Sequence, residues 1–445
     1  MRNPGSSRLV QVDPASPSAS AVIDGSTELP CDLQADIRRF LEANVPRRRP
    51  AIDDLGVSTG GVHDSSPAVV KMVRTYQAAL FDAGLAGLTW PREYGGQGLP
   101  ASAQKIFNDE AADFDVPTRV VGIGLGMCGP TILAHGTDEQ RERYLRPMLR
   151  GDEIWCQLFS EPGAGSDIAA VQTRAVRDGD TWIVDGQKVW SSVAHHSDWG
   201  LALVRTDFGV PKHDGLTMMV IDMRAPGVEV RPLRQMDGGA NFNEVFFTNV
   251  AVPADRVVGG VNDGWNVART TLTSERYAVS GGRQGNTSVA APVLRLVKDL
   301  GTRPSATMRQ RLAELYTVDF VLRQLQERAR SSREQGRPAG PEGSVAKLLN
   351  SRLQKMAHEL RLAALGASGM ACEPDDGVAS GLMAGFVGSP AASIGGGTDE
   401  VQKNIIGERV LGLPREPAGD RDVSFREVLQ RAAAARESVQ SEVRR

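Results

Sequence analysis

The sequence predicts an α+β chain in which a helical region comes first, a β-rich region follows and a helical bundle closes. Three observations carry this reading. Apolar residues recur at three- and four-residue spacing before about Gly151 and again after about Asn262. Between those limits, short β-branched and aromatic runs alternate with turn signals. The chain, at 445 residues, exceeds the size at which one hydrophobic core keeps growing, so two or three domains are expected.

Residues 1–31 are rich in Ser, Pro and small side chains and read as a disordered lead-in. An N-terminal helical domain is set at residues 32–151. Leu33, Ile37, Phe40 and Leu41 share one helical face, and Val69, Met72, Val73, Tyr76 and Leu80 share another. "TDEQRERYLRPML" reads as a capped helix, with Thr137 ahead of Glu139 and Gln140 and with Tyr144, Leu145 and Met148 as its apolar positions.

A middle β-domain is set at residues 152–260. "TRAVRDGDTWIVDGQKVW" holds Asp178-Gly179 and Asp185-Gly186 among alternating residues, a hairpin signal. "LALVRT", "TMMVIDM", "VEVRPL" and "EVFFTNVAV" continue as strands. A C-terminal helical bundle is set at 261–416. Its stripes are Leu312, Leu315, Val318, Leu322 and Leu325, then Leu349, Leu353, Met356 and Leu360. Residues 417–445 read as a helical tail.

Hydrophobic residues make up 41% and charged residues 24%, ordinary for a soluble globular protein. A net charge of −3 provides no field for nucleic acid, and the basic run Pro46–Pro50 reads as a solvated linker. Cys31, Cys128, Cys156 and Cys372 are scattered, with no CxxC or CxxH spacing, so neither a metal site nor a disulfide framework is indicated. No apolar run approaches the roughly 18 residues of a membrane span, and the N-terminus lacks a signal peptide's hydrophobic core. A cytoplasmic location is the expectation.

The densest chemical signal is "QLFSEPGAGSDIAAVQTRA". A strand is expected to end at Ser160, and residues 161–167 turn sharply. Gly163, Ala164 and Gly165 expose backbone N–H groups, and Ser160 and Ser166 add hydroxyls, so the loop could hold a polar ring or an anionic head group. Taken alone, it is more readily a plain turn. Three other stretches accompany it: "GLTWPREYGGQGL", "GQKVWSSVAHHSDW" and "NIIGERVLGLPRE".

In this combination and order the stretches resemble the acyl-CoA dehydrogenase family, over about residues 32–416. The resemblance implies a helical N-terminal domain, a β-barrel-like middle domain and a C-terminal four-helix bundle enclosing FAD. It implies oxidation of an acyl thioester between Cα and Cβ. It puts Phe159 and Ser160 at the flavin pyrimidine, and Gly165 and Ser166 at the FAD phosphates, with Ser166 also at the thioester. Trp190 would lie along the flavin ring and Ser192 near its N5, while Thr398 and Glu400 would contact FAD. A flavin needs donors to its ring N and O atoms and an apolar wall, which these residue types supply. Without the surrounding pattern, Trp190 would read as a buried strand aromatic.

The reaction also demands a base for the Cα proton, with a pKa raised by burial. Many family members place a glutamate before a Gly-Thr pair in the C-terminal loop. In "SIGGGTDEVQ" that place is Gly396, ahead of Gly397-Thr398. Other members carry the glutamate on the first bundle helix, before an arginine, and "TTLTSERYAVS" offers Glu275 and Arg276. Trp265, Ala268, Leu272 and Val279 form an apolar stripe, and Glu275 falls on it. A carboxylate there is costly without a partner or a task. Adjacent helical residues diverge by about 100°, which disfavours a Glu275–Arg276 pair, though another cation is possible. Glu275 is the expected base; Asp399 and Glu400 are the alternatives, and Gly396 and Arg276 are expected on the substrate side.

Histidine competes weakly. His195 and His196 could line the pocket; His63, His135, His213 and His358 lack metal spacing, and His358, off its leucine stripe, is expected to face solvent. Two family motifs are altered. Val297 stands where a pyrophosphate-binding arginine would fall, with Arg295 and Lys298 near it. "AALGASG" keeps Gly366 and Gly369 of an adenosine-side motif but has Ala363 and Ala367 elsewhere. The expected partners are an acyl thioester (CoA or carrier protein), an electron-transfer flavoprotein, and further subunits as a homodimer, homotetramer or hetero-oligomer. An oxygen-using acyl oxidase or monooxygenase of the same fold stays open, as does a non-catalytic partner subunit.

Overall fold

The computed structural model describes residues 29–47, 66–118, 120–279, 288–301, 303–334, 340–371, 378–417 and 419–443. Nearly all of the expected lead-in, the last three residues of Pro46–Pro50, His63 and Cys372 lie outside these residues, as does the Val279 side chain.

Five helices open the fold: α1 (Leu33–Asn44), α2 (Pro67–Asp82), α3 (Ala101–Ala111), α4 (Gly129–His135) and α5 (Asp138–Arg150). α1 buries Leu33, Ile37 and Leu41, the one-sided stripe its spacing requires. α5 begins with the capping box. Gln140 N–H donates to Thr137 Oγ1 at 3.2 Å and Gln140 Oε1 accepts from Thr137 N–H at 3.2 Å. The Gln140 amide nitrogen also donates to the Asp255 and Val257 carbonyls, at 2.7 and 2.8 Å, and so ties α5 to the β-region.

The middle region is one mixed sheet of β1 (Trp155–Leu158), β2 (Arg174–Asp178), β3 (Thr181–Lys188), β4 (Trp199–Arg205), β5 (Leu216–Asp222), β6 (Val228–Leu233), β7 (Phe242–Pro253) and β8 (Val257–Val258). The strand order is β6-β7-β3-β2-β4-β5-β8, with β1 parallel to β4. β1 stops two residues short of the expected Ser160. The two Asp-Gly pairs diverge in role. Asp178-Gly179 makes the β2–β3 turn, with Gly179 at φ +58°. Asp185-Gly186 is instead a bulge inside β3, not a hairpin turn. A Cβ on Gly186 would lie 2.7 Å from Thr173 Cα, so the crossing β2 approach excludes any side chain there.

The rest is helical: α6 (Gly264–Val279), α7 (Ala290–Asp299), α8 (Ala306–Glu334), α9 (Glu342–Leu365), α10 (Val378–Gly388), α11 (Asp399–Ile405) and α12 (Phe425–Val443). Leu312, Leu315 and Leu322 of α8 pack on Leu353, Ala357 and Leu360 of α9, with Val293 of α7. Val297 packs at the edge of this core. The expected solvent-facing His358 is buried, 1% exposed. α10 covers the side of α9 that the leucine stripe leaves free, and a Cβ on Gly385 would sit 2.6 Å from the His358 ring. Burial pulls the His358 pKa down to about 4. No described helix is long and apolar enough to cross a membrane.

One core cluster runs through α1–α5, the inner sheet residues Trp155, Leu201, Leu203 and Met218, and Val267 and Ala268 of α6. This continuity fixes α6 against β1. The loop after β1 is fixed by charge. Lys188, 0% exposed, donates to the Phe159 carbonyl (2.9 Å), the Leu203 carbonyl (2.6 Å) and Glu161 Oε1 (2.8 Å). Glu161 also accepts from Gln172 N–H at 2.7 Å and Thr173 N–H at 2.8 Å. Burial would push the Glu161 carboxyl up, but the Lys188 charge and these bonds hold it below the usual carboxylate value.

Because removing one member of a buried pair strands the other's charge, Lys188→Met should cost about 3–5 kcal/mol of stability. Chemical denaturation of Lys188→Met, Glu161→Gln and the double variant checks this; the double variant should recover part of the single-variant loss.

Candidate flavin and thioester site

Past β1 the chain turns back on itself. Glu161 N–H donates to the Ala164 carbonyl (2.9 Å) and Ala164 N–H to the Glu161 carbonyl (3.0 Å). Ala164 is therefore buried with its N–H used, unlike the expectation that it would be exposed for a ligand. Gly163, Gly165 and Ser166 remain exposed, and a Cβ on either glycine would meet nothing within 4 Å. Phe159 is buried with its carbonyl turned to Lys188, and Ser160 holds Val189 N–H through its own carbonyl at 2.8 Å.

That last bond delivers the chain to Trp190. Its backbone is left-handed, φ +61°, and Val193 repeats this at φ +55°. Such conformations cost about 1–3 kcal/mol each for non-glycine residues and persist only where the surroundings impose them. Here β7 does so: Ser191 N–H and Val193 N–H donate to the Asn243 and Asn241 carbonyls, both at 3.1 Å. Trp190 is 56% exposed, not a buried strand aromatic, and braced edge-on by Phe242 with ring centroids 5.8 Å apart. Ser192 beside it is half-buried. The buried Ser191 hydroxyl has no hydrogen-bond partner among the described residues. His195 and His196 follow with rings 3.9 Å apart. Burial first, then His196, lowers the His195 pKa.

α6 carries Glu275 to the β1 side. Gln157 of β1 donates its amide N–H to Glu275 Oε2 at 3.2 Å, and the Gly396 backbone N–H lies near enough to the carboxylate to lower its pKa. The structure therefore joins residues 157, 275 and 396, from three separate parts of the chain. Glu275 retains some opening to solvent, yet dense protein surroundings dominate. Burial raises its pKa above the ordinary glutamate value, opposed by Gln157, Gly396 and Arg276 in that order. Among the described residues it makes no ion pair within 4 Å. Arg276 points elsewhere and donates to Thr273 Oγ1 at 3.0 Å.

The alternative bases have other surroundings. Asp399 accepts from Ser351 Oγ at 2.7 Å and Lys347 Nζ at 3.2 Å. Burial would raise its pKa, but Ser351, Ser393 and Lys347 hold it below the usual value. It is an anchored anion beneath the glycine loop. Glu400 has a 77% exposed side chain near Lys403. Thr398 caps α11, accepting from Val401 N–H at 3.2 Å. Gly396 and Gly397 adopt φ +67° and +83°, and their carbonyls accept from the Gln402 amide at 2.8 and 3.3 Å.

Sequence reasoning missed Gln157, Lys188 and Lys347. The available signal was a polar residue in an apolar run: Gln157 interrupts "WCQLF", and Lys188 closes a strand before "VW". An open glycine rim, an exposed and strained aromatic, and an unpartnered buried hydroxyl fit a flat heteroaromatic group with a phosphate tail.

Comparison with known proteins shows the family. Three family models match in order: acyl-CoA dehydrogenase N-terminal domain over 31–152, middle domain over 156–250 and C-terminal domain over 262–411. Acyl-CoA dehydrogenase IpdE1 of Mycobacterium tuberculosis is 38% identical over 393 residues, covering 87% of this chain and 99% of that protein. Acyl-CoA dehydrogenase FadE34 of the same organism is 41% identical over 377 residues, 83% of this chain; the match spans 51% of that longer protein. A solved structure described as a steroid ACAD superposes with a TM-score of 0.72 at 28% identity, covering 88% of this chain and all (100%) of that one. The chain belongs to the acyl-CoA dehydrogenase family of oxidoreductases.

Proposed function

We propose that this chain is an FAD-dependent dehydrogenase that desaturates an acyl-CoA between Cα and Cβ, with Glu275 as the base. The observation that carries the proposal is the Glu275 carboxylate, desolvated on α6, with the Gln157 amide donating to it and the Gly396 backbone close by. FAD, when bound, supplies the two-electron acceptor for the Cβ hydride. Phe159, Ser160, Ser192 and Trp190 would hold its ring; Gly165, Ser166, Thr398 and Glu400 would hold its phosphates and ribose. Ser166 is exposed at the rim, where it can also reach a thioester.

Glu275 takes the Cα proton. Its raised pKa makes the carboxylate a stronger base than a solvated one, while the Gln157 amide fixes its orientation. Gly396 leaves the catalytic loop without a side chain beside the carboxylate, so acyl bulk fits where a loop glutamate would stand. A bulky or branched acyl chain is the substrate class this favours, and the likeness to a steroid enzyme points the same way. An electron-transfer flavoprotein is the proposed oxidant of the reduced enzyme. The altered motifs at Val297 and Ala363 favour a second, different chain completing the adenosine end of the site.

Glu275→Gln should retain FAD and lose about 10²–10⁴-fold in the rate of anaerobic flavin bleaching by substrate; an unchanged rate would sink the assignment. A panel of straight-chain, branched and ring-bearing acyl-CoA thioesters should bleach fastest at the bulky end. Peroxide formed stoichiometrically without an added acceptor would identify an oxidase instead.

The pH dependence has a definite sign. Activity needs ionised Glu275, so kcat/KM should rise through an apparent pKa above the ordinary value of about 4.3. Gln157→Leu removes a donor to the carboxylate and should move that limb to higher pH. Stability runs the other way: a raised folded-state pKa favours the protonated fold, a contribution complete below the unfolded pKa and lost as pH rises through the folded one. Glu275→Gln should therefore be more stable than wild type near neutrality, with the difference vanishing below about pH 4. Thermal melts from pH 4 to pH 8 check it.

A further inference from the structure

The chain continues past the bundle, and the tail returns to the sheet. Phe425 N–H donates to the Val210 carbonyl at 2.8 Å and Arg426 N–H to the Phe208 carbonyl at 2.9 Å. Phe425 is 1% exposed, whereas α12 is exposed from Gln430 through Glu437. The contact is concentrated at the start of the helix, against the loop between β4 and β5.

Two cations in that region hold the tail and the Ser160–Asp167 loop together. Lys212 Nζ lies 2.8 Å from Asp167 Oδ2 and 2.9 Å from Asp420 Oδ2. One ammonium thus bridges the cofactor-side loop and the tail. Burial works against that ammonium, yet the two carboxylates hold its pKa above the usual lysine value. The second cation is Arg205, 0% exposed. It donates to the carbonyls of Ala169 (2.5 Å), Val171 (3.2 Å) and Lys212 (2.8 Å). No carboxylate lies within ion-pair distance of it among the described residues. Its guanidinium lies 4.0 Å from the Phe425 ring centroid, with Phe208 at 5.9 Å. Burial pulls its pKa down to about 10 against the more distant charges of Glu161, Asp167 and Asp207, and the Phe425 π face adds to their support.

The loop has little else on its outer side. Gly163 and Gly165 have open space around them, Ser166 is exposed, and Asp167 is joined to the body of the protein through Lys212.

We infer that the C-terminal tail is a strap in which Asp420 and Phe425 act as positioning residues, setting Ser166 and its loop through Lys212 and Arg205. The inference rests on the reading of Ser166 as a residue facing FAD and thioester. The tail touches neither ligand; it restricts the loop that does. Loss of the strap should loosen ligand binding and leave the proton-transfer step, carried by Glu275 on α6, largely intact.

The test uses the full-length holoenzyme with Asp420→Asn, Asp420→Glu and a truncation after Glu416. Amide hydrogen exchange over residues 161–171, FAD release on dilution, and the kcat–KM split are read together. Asp420→Asn should speed exchange in that window, hasten FAD release and raise the thioester KM about two- to fivefold at nearly constant kcat, the scale of a partly exposed ion pair. Asp420→Glu should restore all three, and the truncation, which also removes Phe425, should exceed Asp420→Asn. The truncation could misfold, but Asp420→Asn leaves Phe425 in place and decides alone. Unchanged exchange, or faster exchange with unaltered FAD release and KM, would overturn the strap. Ser166→Ala separates the two ideas: if it alters neither FAD release nor KM, the ligand-facing reading fails, while exchange in Asp420→Asn still reports on the strap.

Discussion

The fully buried ammonium of Lys188 is the constraint on which the candidate site depends. Desolvating a charge of that size costs several kcal/mol, and the protein offsets it with one carboxylate and two carbonyls. Those acceptors come from three places: the end of β1, the start of its loop and β4. Satisfying Lys188 therefore fixes Phe159 and Glu161 relative to the sheet. Glu161 in turn takes two N–H groups just ahead of β2. The loop's inner half is a rigid frame, and its outer rim, Gly163, Gly165 and Ser166, is exposed.

The two conspicuous carboxylates near the glycine loop illustrate how surroundings divide roles. Asp399 and Glu275 both sit within reach of Gly395–Gly397. Asp399 is given an ammonium and two hydroxyls, which hold it ionised and make it an anchor. Glu275 is given one amide donor and, among the described residues, no ion pair within 4 Å, so burial prevails and its basicity rises. Paired carboxylates whose environments push their pKa values apart are a recurring mark of acid–base sites. The same α9 face, through Lys347, Ser351 and Lys355, holds the loop that approaches Glu275.

Strain and exposure mark the opposite wall. Trp190 is held in a left-handed conformation by carbonyls of β7 and pushes a large apolar surface outward. Neither feature stabilises the chain by itself. Both fit the proposed function, in which a ligand ring would cover the indole when bound. At the tail, the Phe425 ring covers the Arg205 guanidinium, which forms no direct ion pair among the described residues.

Periodicity alone determined most of the architecture. One-sided stripes located α1, α2, α5, α8 and α9, and β-branched and aromatic runs between turn signals located the strands, of which β4 and β5 are buried on both faces. Resemblance to a family pattern singled out Glu275 and the 159–166 loop as candidates, which periodicity by itself does not do. Other features depended on contacts between distant segments. Asp185-Gly186 looked like a turn and became a bulge, because Thr173 crosses too closely for a Cβ. His358 looked solvent-facing and is buried, because α10 covers the second side of α9. Gln157 became a partner of Glu275 only when α6 packed on β1, and Lys212 came to bridge Asp167 and Asp420 only when the tail returned to the sheet. Sequence spacing reports which face of an element is apolar. It does not report which other element arrives there, and hydrogen bonds and pKa values are set by that arrival.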